Sequence, residues 1–299
     1  MLLIFRFLQG TSAAFLVVLN ITLIGDIHHS EKRMRVFGLN ASVVGLGGII
    51  WSLLGGVLAG LNWKFPFYLS IISLVASIIL SCTYRFPEER QSQPQPVFGY
   101  FKEIKTISSN HSQLGLIMIA IFICYAVLFG SYLTYFPIFI GSSHFQITSV
   151  LIGMIMAGTR FAAVIVSSQL DKLIKIFSLK NLFNIFIILY IVSILLIPFV
   201  SHYLIFFIPA LVWGCAHGIF LPMSYIYLTE KIPDQYTASI VSLGRGVNKA
   251  GQTFGLLLMN VVFGLAGIKA VFFAGALIWI VFLLFKLIYL GEEVYKLIG

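Results

Sequence analysis

The chain is poor in charge. Only 10% of its 299 residues are Asp, Glu, Lys or Arg, 60% are hydrophobic, and the mean hydropathy is +1.02. A water-soluble globule of this size cannot be covered by so little polar surface. Cysteine is scarce as well: Cys82, Cys124 and Cys215 stand at unrelated spacings. They offer no disulfide framework, metal pattern or redox motif, and read as packing residues. There is no Gly-rich phosphate loop, no His-Glu-x-x-His, no nucleophile elbow and no catalytic carboxylate pair. Those absences argue against ATP-driven transport and membrane hydrolysis; no enzyme activity, cofactor or metal is expected. None of the ten Asp and Glu residues falls inside an apolar run. A proton-coupled carrier would then need a histidine, or a residue beyond this stretch, as its acceptor.

Long apolar runs are what the chain has in abundance. About 20 apolar residues match a ~30 Å hydrocarbon core, and only helices or closed barrels satisfy their backbone there. The runs are helix-length, unlike the ten-residue alternating strands of a barrel. Nine spans are expected, at 2–25, 36–60, 63–84, 113–140, 147–169, 179–201, 203–228, 239–264 and 268–290. The fold class is an all-α membrane protein with nine transmembrane helices.

The net charge of +9 orients the protein. Lys32, Arg33 and Arg35 occupy the first connection, Arg85, Arg90, Lys102 and Lys105 the third, Lys172, Lys175 and Lys180 the fifth, and Lys231 the seventh. Lys286 and Lys296 follow at the C-terminal end. The intervening connections carry only Lys64 and Lys269. That asymmetry predicts a multi-pass protein of the cell membrane with a cytoplasmic C-terminus. The basic residues also suit anionic membrane lipids, so no nucleic acid is implied.

The one long polar connection, 85–112, begins R-F-P-E-E-R-Q-S-Q-P-Q-P, a flexible linker by composition. Phe101, Ile104 and Ile107 then interleave with charges, as in an amphipathic helix on the inner surface. The linker divides residues 1–84, three helices, from 113–299, six helices. Displacing the chain by 208 positions pairs Gly10 with Gly218, Asp26 with Asp234, Gly38 with Gly246, Gly47 with Gly255 and Gly56 with Gly264. Helices one to three therefore read as a copy of helices seven to nine. By that arithmetic the chain is a twelve-helix, two-bundle protein without its first three helices.

Several residues carry chemistry in this setting. Arg160 sits midway along M-I-M-A-G-T-R-F-A-A-V, far from either end of its span, where a charge is costly. It can bind an anionic substrate group, neutralise a carboxylate elsewhere, or form a buried structural pair. Tyr125, Phe129, Tyr132 and Phe136 recur at helical spacing, as a cavity-lining stripe or as packing aromatics. His217 follows Trp213-Gly214 as a titratable or a packing residue. Arg6 is costly in its apolar span unless it faces a polar interior or snorkels to the headgroups. Gly45, Gly47, Gly48, Gly55, Gly56 and Gly60 leave one face of the second helix nearly flat, which permits close backbone approach.

The run Arg6-Phe7-Leu8-Gln9-Gly10 with Ala13 and Ala14 resembles the R-x-x-Q-G signature of the fourth helix of the major facilitator superfamily of secondary transporters. Gly38, Gly47, Gly55 and Gly56 resemble the glycine motif of its fifth helix, with Trp51-Ser52 where the family carries Gly-Pro. Ser167, Asp171, Lys172 and Lys175 hold the register of its G-x-L-a-D-R-x-G-R loop, with Ser167 and Ile174 in place of glycines. The resemblance extends over the whole chain. It implies an incomplete two-bundle fold of three plus six helices and transport of a small organic solute by alternating access, export slightly favoured. The partners it implies are a small-molecule substrate and a coupling proton or ion. Arg6, Gln9, Arg160, Tyr125, Phe129, Tyr132 and His217 would line the cavity. Asp26 with Arg33 or Arg35, Asp171 with Lys172, and Asp234 would form an inner gate. Gly38, Gly47, Gly55 and Gly56 would pack helices. A non-transporting membrane scaffold or sensor, or an inactive piece of a transporter, is the alternative.

Overall fold

Peptide groups that cannot reach water must bond within their own segment, and every regular element among the described residues is helical. A computed structural model gives the fold, describing residues 4, 7–12, 30–83, 112–142, 145, 147–229 and 234–289. Residues 85–111 of the linker expected at 85–112, and most of the first span, 2–25, lie outside the described residues. Two compact units divide between Ile50 and Trp51, within α1 (Ser30–Leu61). In the first unit, residues 7–12 are helical and exposed.

The second unit holds the rest. A short helix α2 (Phe65–Tyr68) leads into α3 (Ser70–Thr83), whose described side chains are all exposed. The next span is α4 (Ser112–Val127), a π-helical turn at Leu128–Tyr132 and α5 (Leu133–Ile140), continuous in sequence. Thr148 caps α6 (Ser149–Ser168) by accepting a bond from the Leu151 amide at 3.4 Å. Then come α7 (Leu170–Leu196), two 3₁₀ turns (Ile197–Phe199 and Tyr203–Phe206), α8 (Phe207–Thr229) and α9 (Asp234–Tyr289).

Two backbone breaks divide the longest helices. The apolar stretch Ile240–Leu287 has 48 residues, about 72 Å at ~1.5 Å per residue, over twice the ~30 Å hydrocarbon thickness. Gly267, at φ 78, interrupts it between the spans expected at 239–264 and 268–290. In α7 the break is Ser178, at φ 51. Its hydroxyl accepts from the Asn181 amide at 3.5 Å and opens the span expected at 179–201. Residues 170–177, expected as a connection, are helical. Leu170 is buried and Leu173 and Ile174 half-buried, at the i, i+3, i+4 spacing of an amphipathic turn, while Lys172 and Lys175 are exposed.

Among the described residues, six helical stretches are long and apolar enough to cross a membrane: Val43–Leu61, Leu114–Ile140, Ser149–Ser168, Asn181–Phe199, Tyr203–Ser224 and Ile240–Leu287. Their outer faces carry exposed Ile119, Ile138, Met154, Phe161, Leu257 and Leu277. Such a surface suits acyl chains and would aggregate in water.

In lipid, helices gain little from hydrophobic contact alone, so they associate through close approach of small residues. The main pairings are α6 with α8, α4 with α9 and α7 with α8. A Cβ added at Gly255 of α9 would lie 2.6 Å from the carbonyl carbon of Ala126 on α4 and closer still to its oxygen. At Gly264, on the same helix, it would meet nothing within 4 Å. Gly255→Ala is therefore expected to destabilise by about 1–3 kcal/mol through overpacking. Gly264→Ala is expected to be neutral or to stabilise by up to ~1 kcal/mol from helix propensity. Thermal unfolding of the detergent-solubilised protein checks this, and equal melting temperatures for the two variants would refute the packing account.

Candidate functional site

The interior of the second unit is built on aromatic rings drawn from four elements. Tyr132 of the π turn stacks on Trp213 of α8, centroids 4.3 Å apart and planes 6° from parallel. Trp213 meets Tyr190 of α7 at 4.6 Å. Tyr190 in turn stacks on Trp279 of α9 at 5.0 Å and 13°. All four are fully buried. Each ring pair contributes about 0.5–1.5 kcal/mol beyond the area it buries.

Two polar chains run beside the rings. The Tyr132 hydroxyl shares a 2.7 Å hydrogen bond with Thr159 Oγ1. Thr159 Oγ1 also lies 3.4 Å from the Ile155 carbonyl, which can accept from it. The Tyr190 hydroxyl lies 2.9 Å from His217 Nδ1 and 3.4 Å from Cys124 Sγ. His217 meets the Tyr125 ring edge-on at 6.5 Å. Buried polar groups are thus nearly all paired, as low dielectric demands. The indole nitrogens of Trp213 and Trp279 are exceptions, with no hydrogen-bond partner.

Arg160 lies on α6, immediately after Thr159. It lines a recess of about 50 Å³ together with Tyr132, Thr159, Trp213 and His217, with Leu133 and Met156 among its apolar walls. Arg160 is half-buried and makes no hydrogen bond or ion pair among the described residues. Among the described residues it is the one charged member of that lining, and none of them places a carboxylate there. The recess has room for a few waters or a small polar group, since one water needs only about 10–15 Å³ of such space.

The crossing of α6 and α8 sets this geometry. A Cβ at Gly218 would lie 2.6 Å from the Ala163 carbonyl oxygen and 3.0 Å from Val166 Cβ. One at Gly214 would press into the Thr159 carbonyl and come within 2.8 Å of Ala162 Cβ. Glycine at both positions lets the backbones touch, and this brings Arg160 and Thr159 to the same recess as His217 and Trp213.

Of the cavity residues expected from sequence, Arg160, Tyr132 and His217 therefore converge. Tyr125 and Phe129 are half-buried and stack at 6.4 Å beside the recess rather than in its lining. The π turn, which carries Phe129 and Tyr132, interrupts the regular helical spacing of the stripe. Phe136 is fully buried among rings, 5.0 Å from Tyr132. Gln9 is exposed on its helical turn, and Arg6 lies outside the described residues.

Of the gate residues, Asp26 lies outside the described residues. Arg33 and Arg35 are helical positions of α1, Asp171 of α7 and Asp234 the first residue of α9, and nothing is described of their side chains. Lys172 is exposed. Among the glycines, Gly56 abuts α6, where an added Cβ would lie 2.7 Å from the Ser149 oxygen and 3.0 Å from Gly153 Cα. Gly55 would meet nothing within 4 Å. Gly38 and Gly47 are helical positions of α1. Sequence reasoning missed Thr159, Tyr190 and Trp213 as members of the site. Their one signal was a polar or amphipathic residue inside an apolar run, which packing residues share.

A family model described as "Major Facilitator Superfamily" matches residues 1–249 and again 142–296. "Multidrug resistance protein 2" of Bacillus subtilis (strain 168) is 26% identical over 274 residues, 87% of this chain and 66% of that protein. "Multidrug efflux pump SdrM" of Staphylococcus aureus (strain N315) is 32% identical over 123 residues, 40% of this chain and 26% of its own length. "Multidrug transporter protein MdtP" of Bacillus subtilis (strain 168) is 30% identical over 82 residues, 27% of this chain and 15% of its own length. The matched part of the chain thus spans less than two thirds of each of these relatives.

The two polar chains differ in what a deletion would orphan. Tyr132→Phe leaves Thr159 with the Ile155 carbonyl, so a loss of about 0.5–1.5 kcal/mol is expected. Tyr190→Phe leaves His217 Nδ1 without its partner, and an orphaned buried group costs about 1–3 kcal/mol. Thermal unfolding in detergent should rank Tyr190→Phe below Tyr132→Phe. The reverse order would show that the His217 bond contributes little.

Proposed function

The chain belongs to the major facilitator superfamily, a family of transporters and not of enzymes, and on that premise we propose that this multi-pass membrane protein moves a small organic solute across the cell membrane by alternating access. Arg160 carries the reading: a cation with no counter-ion among the described residues, in the middle of an apolar span, facing a recess lined by hydroxyl and ring groups. A charge in that position costs several kcal/mol on membrane helices unless it serves a polar interior. The expense makes little sense for a merely packed helix.

In this reading the chain crosses the bilayer nine times, with its C-terminus in the cytoplasm. Residues 113–299 form a six-helix bundle and 1–84 contribute three helices to its counterpart. The recess is one wall of the central site, with Tyr125 and Phe129 along its margin and Arg6 and Gln9 contributed from the other bundle. Asp26 with Arg33 or Arg35, Asp171 with Lys172, and Asp234 latch the inner mouth and separate as the bundles rock. Gly38, Gly47, Gly55 and Gly56 give the second helix a small-residue face on which that motion runs. A proton or other ion supplies the driving force. Export is favoured over uptake, a direction supported by the multidrug efflux names of its relatives.

Proteoliposomes containing the chain, compared with empty ones, test transport with a panel of lipophilic dyes under an imposed proton gradient and after its collapse. Arg160→Ala is expected to abolish flux while leaving membrane abundance intact. Unchanged flux kinetics would remove Arg160 from the site, and no flux by the unsubstituted chain would overturn the transport reading.

A further inference from the structure

The recess at Arg160 also specifies what it can take. We propose that it receives the negatively charged end of a small organic monoanion whose apolar body lies along Leu133 and Met156; this substrate class rests on the transport reading above. Three observations carry it. Charge comes first: among the described residues Arg160 is the one charged member of the recess lining, and none of them stands opposite it as a carboxylate. A guanidinium held in an apolar span without a counter-ion is stabilised by any anion that enters, and a single cation balances a single negative charge. An entering ammonium would instead be repelled.

The second observation is donor chemistry. The guanidinium presents a planar fork that suits a carboxylate bidentately. Beside it, Trp213 lines the same recess, with its indole nitrogen fully buried. Three other polar side chains of the lining are already engaged with a partner: Tyr132 with Thr159 at 2.7 Å, and His217 Nδ1 with Tyr190 at 2.9 Å. The open donor capacity is that of the guanidinium, which an acceptor-rich anion fills.

Size is the third. The recess, about 50 Å³, has room for a carboxylate-sized group. The head group enters and the rest of the ligand stays outside against apolar side chains. Recognition therefore reads one charge and tolerates many bodies, a pattern that fits binding of varied compounds sharing an acidic end.

The test uses three probes with one ring and different charge: benzoate, benzyl alcohol and benzylamine. Binding to the purified chain in detergent at low ionic strength is followed by tryptophan emission and by thermal shift. Benzoate is expected to bind at least tenfold more tightly than either other probe. Arg160→Gln is expected to bring benzoate down to the level of benzyl alcohol. Arg160→Lys, which keeps the charge and loses the fork, is expected to retain part of the preference; it also answers the question if the glutamine variant fails to fold. Benzoate binding no tighter than benzyl alcohol, or a preference that survives Arg160→Gln, overturns the proposal. Flux of a cationic dye in proteoliposomes without any anion preference would overturn the anion class and leave transport standing. Anion preference without flux of any probe by the unsubstituted chain would overturn transport alone.

Discussion

Where α6 and α8 cross, backbone meets backbone. Gly214 and Gly218 face the two turns of α6 from Thr159 to Val166, and neither glycine has room for a methyl group. Arg160 is within those turns, and His217 lies between the two glycines. In a bilayer no hydrophobic force draws helices together, so such close approach and its dispersion contact must do so. Any larger residue at either glycine would separate the helices by the width of a side chain. The recess would open, and Arg160 would lose its placement beside Thr159, Trp213 and His217.

The aromatic column behind the recess supplies stiffness in a different way. Tyr132, Trp213, Tyr190 and Trp279 come from four separate elements and lie fully buried, ring on ring. Large rings resist rearrangement because the interior is close-packed and each ring is held on both faces. The polar edges of the tyrosines point to partners, Thr159 for one and His217 with Cys124 for the other. Hydrogen bonds of this kind order the rotamers that line the recess. The guanidinium of Arg160 is left as the feature that a solute would meet first. Elsewhere in the second unit, Lys286 solves the problem of a buried cation otherwise. Its ammonium donates to Asn184 Oδ1 and sits 4.5 Å from the Phe183 ring centroid. The contrast sharpens the reading of Arg160, which has neither kind of support among the described residues.

Much of the architecture was readable in one dimension. The spans expected at 113–140, 147–169 and 203–228 correspond closely to the helical stretches 112–140, 149–168 and 203–229. The join expected after 264 falls at Gly267. These agreements follow from hydropathy and length, which are local properties. The resemblance in Gly38, Gly47, Gly55 and Gly56 and in the Arg6–Gly10 run pointed to the same superfamily that the family match gives. The helix at 170–177 was missed because its amphipathic pattern is only two turns long. The π turn was missed because nothing in L-F-G-S-Y distinguishes a π-helical turn from an α-helical one.

Arg160 stood out in the sequence because a lone charge in an apolar run is costly anywhere in the membrane interior. Its neighbours did not. Thr159, Tyr190 and Trp213 are ordinary residues for a transmembrane helix, and Tyr125 and Tyr132 looked alike on one helical stripe although only Tyr132 reaches the recess. Gly55 and Gly56 are adjacent in sequence, yet only Gly56 abuts another helix. By itself the chain determined that it is helical, membrane-bound and of this superfamily, because each of those properties is written in local composition and short motifs. Which side chains meet was decided by tertiary structure alone, because rotation of each helix about its axis and the distance between helices are set by contacts between residues far apart in the chain.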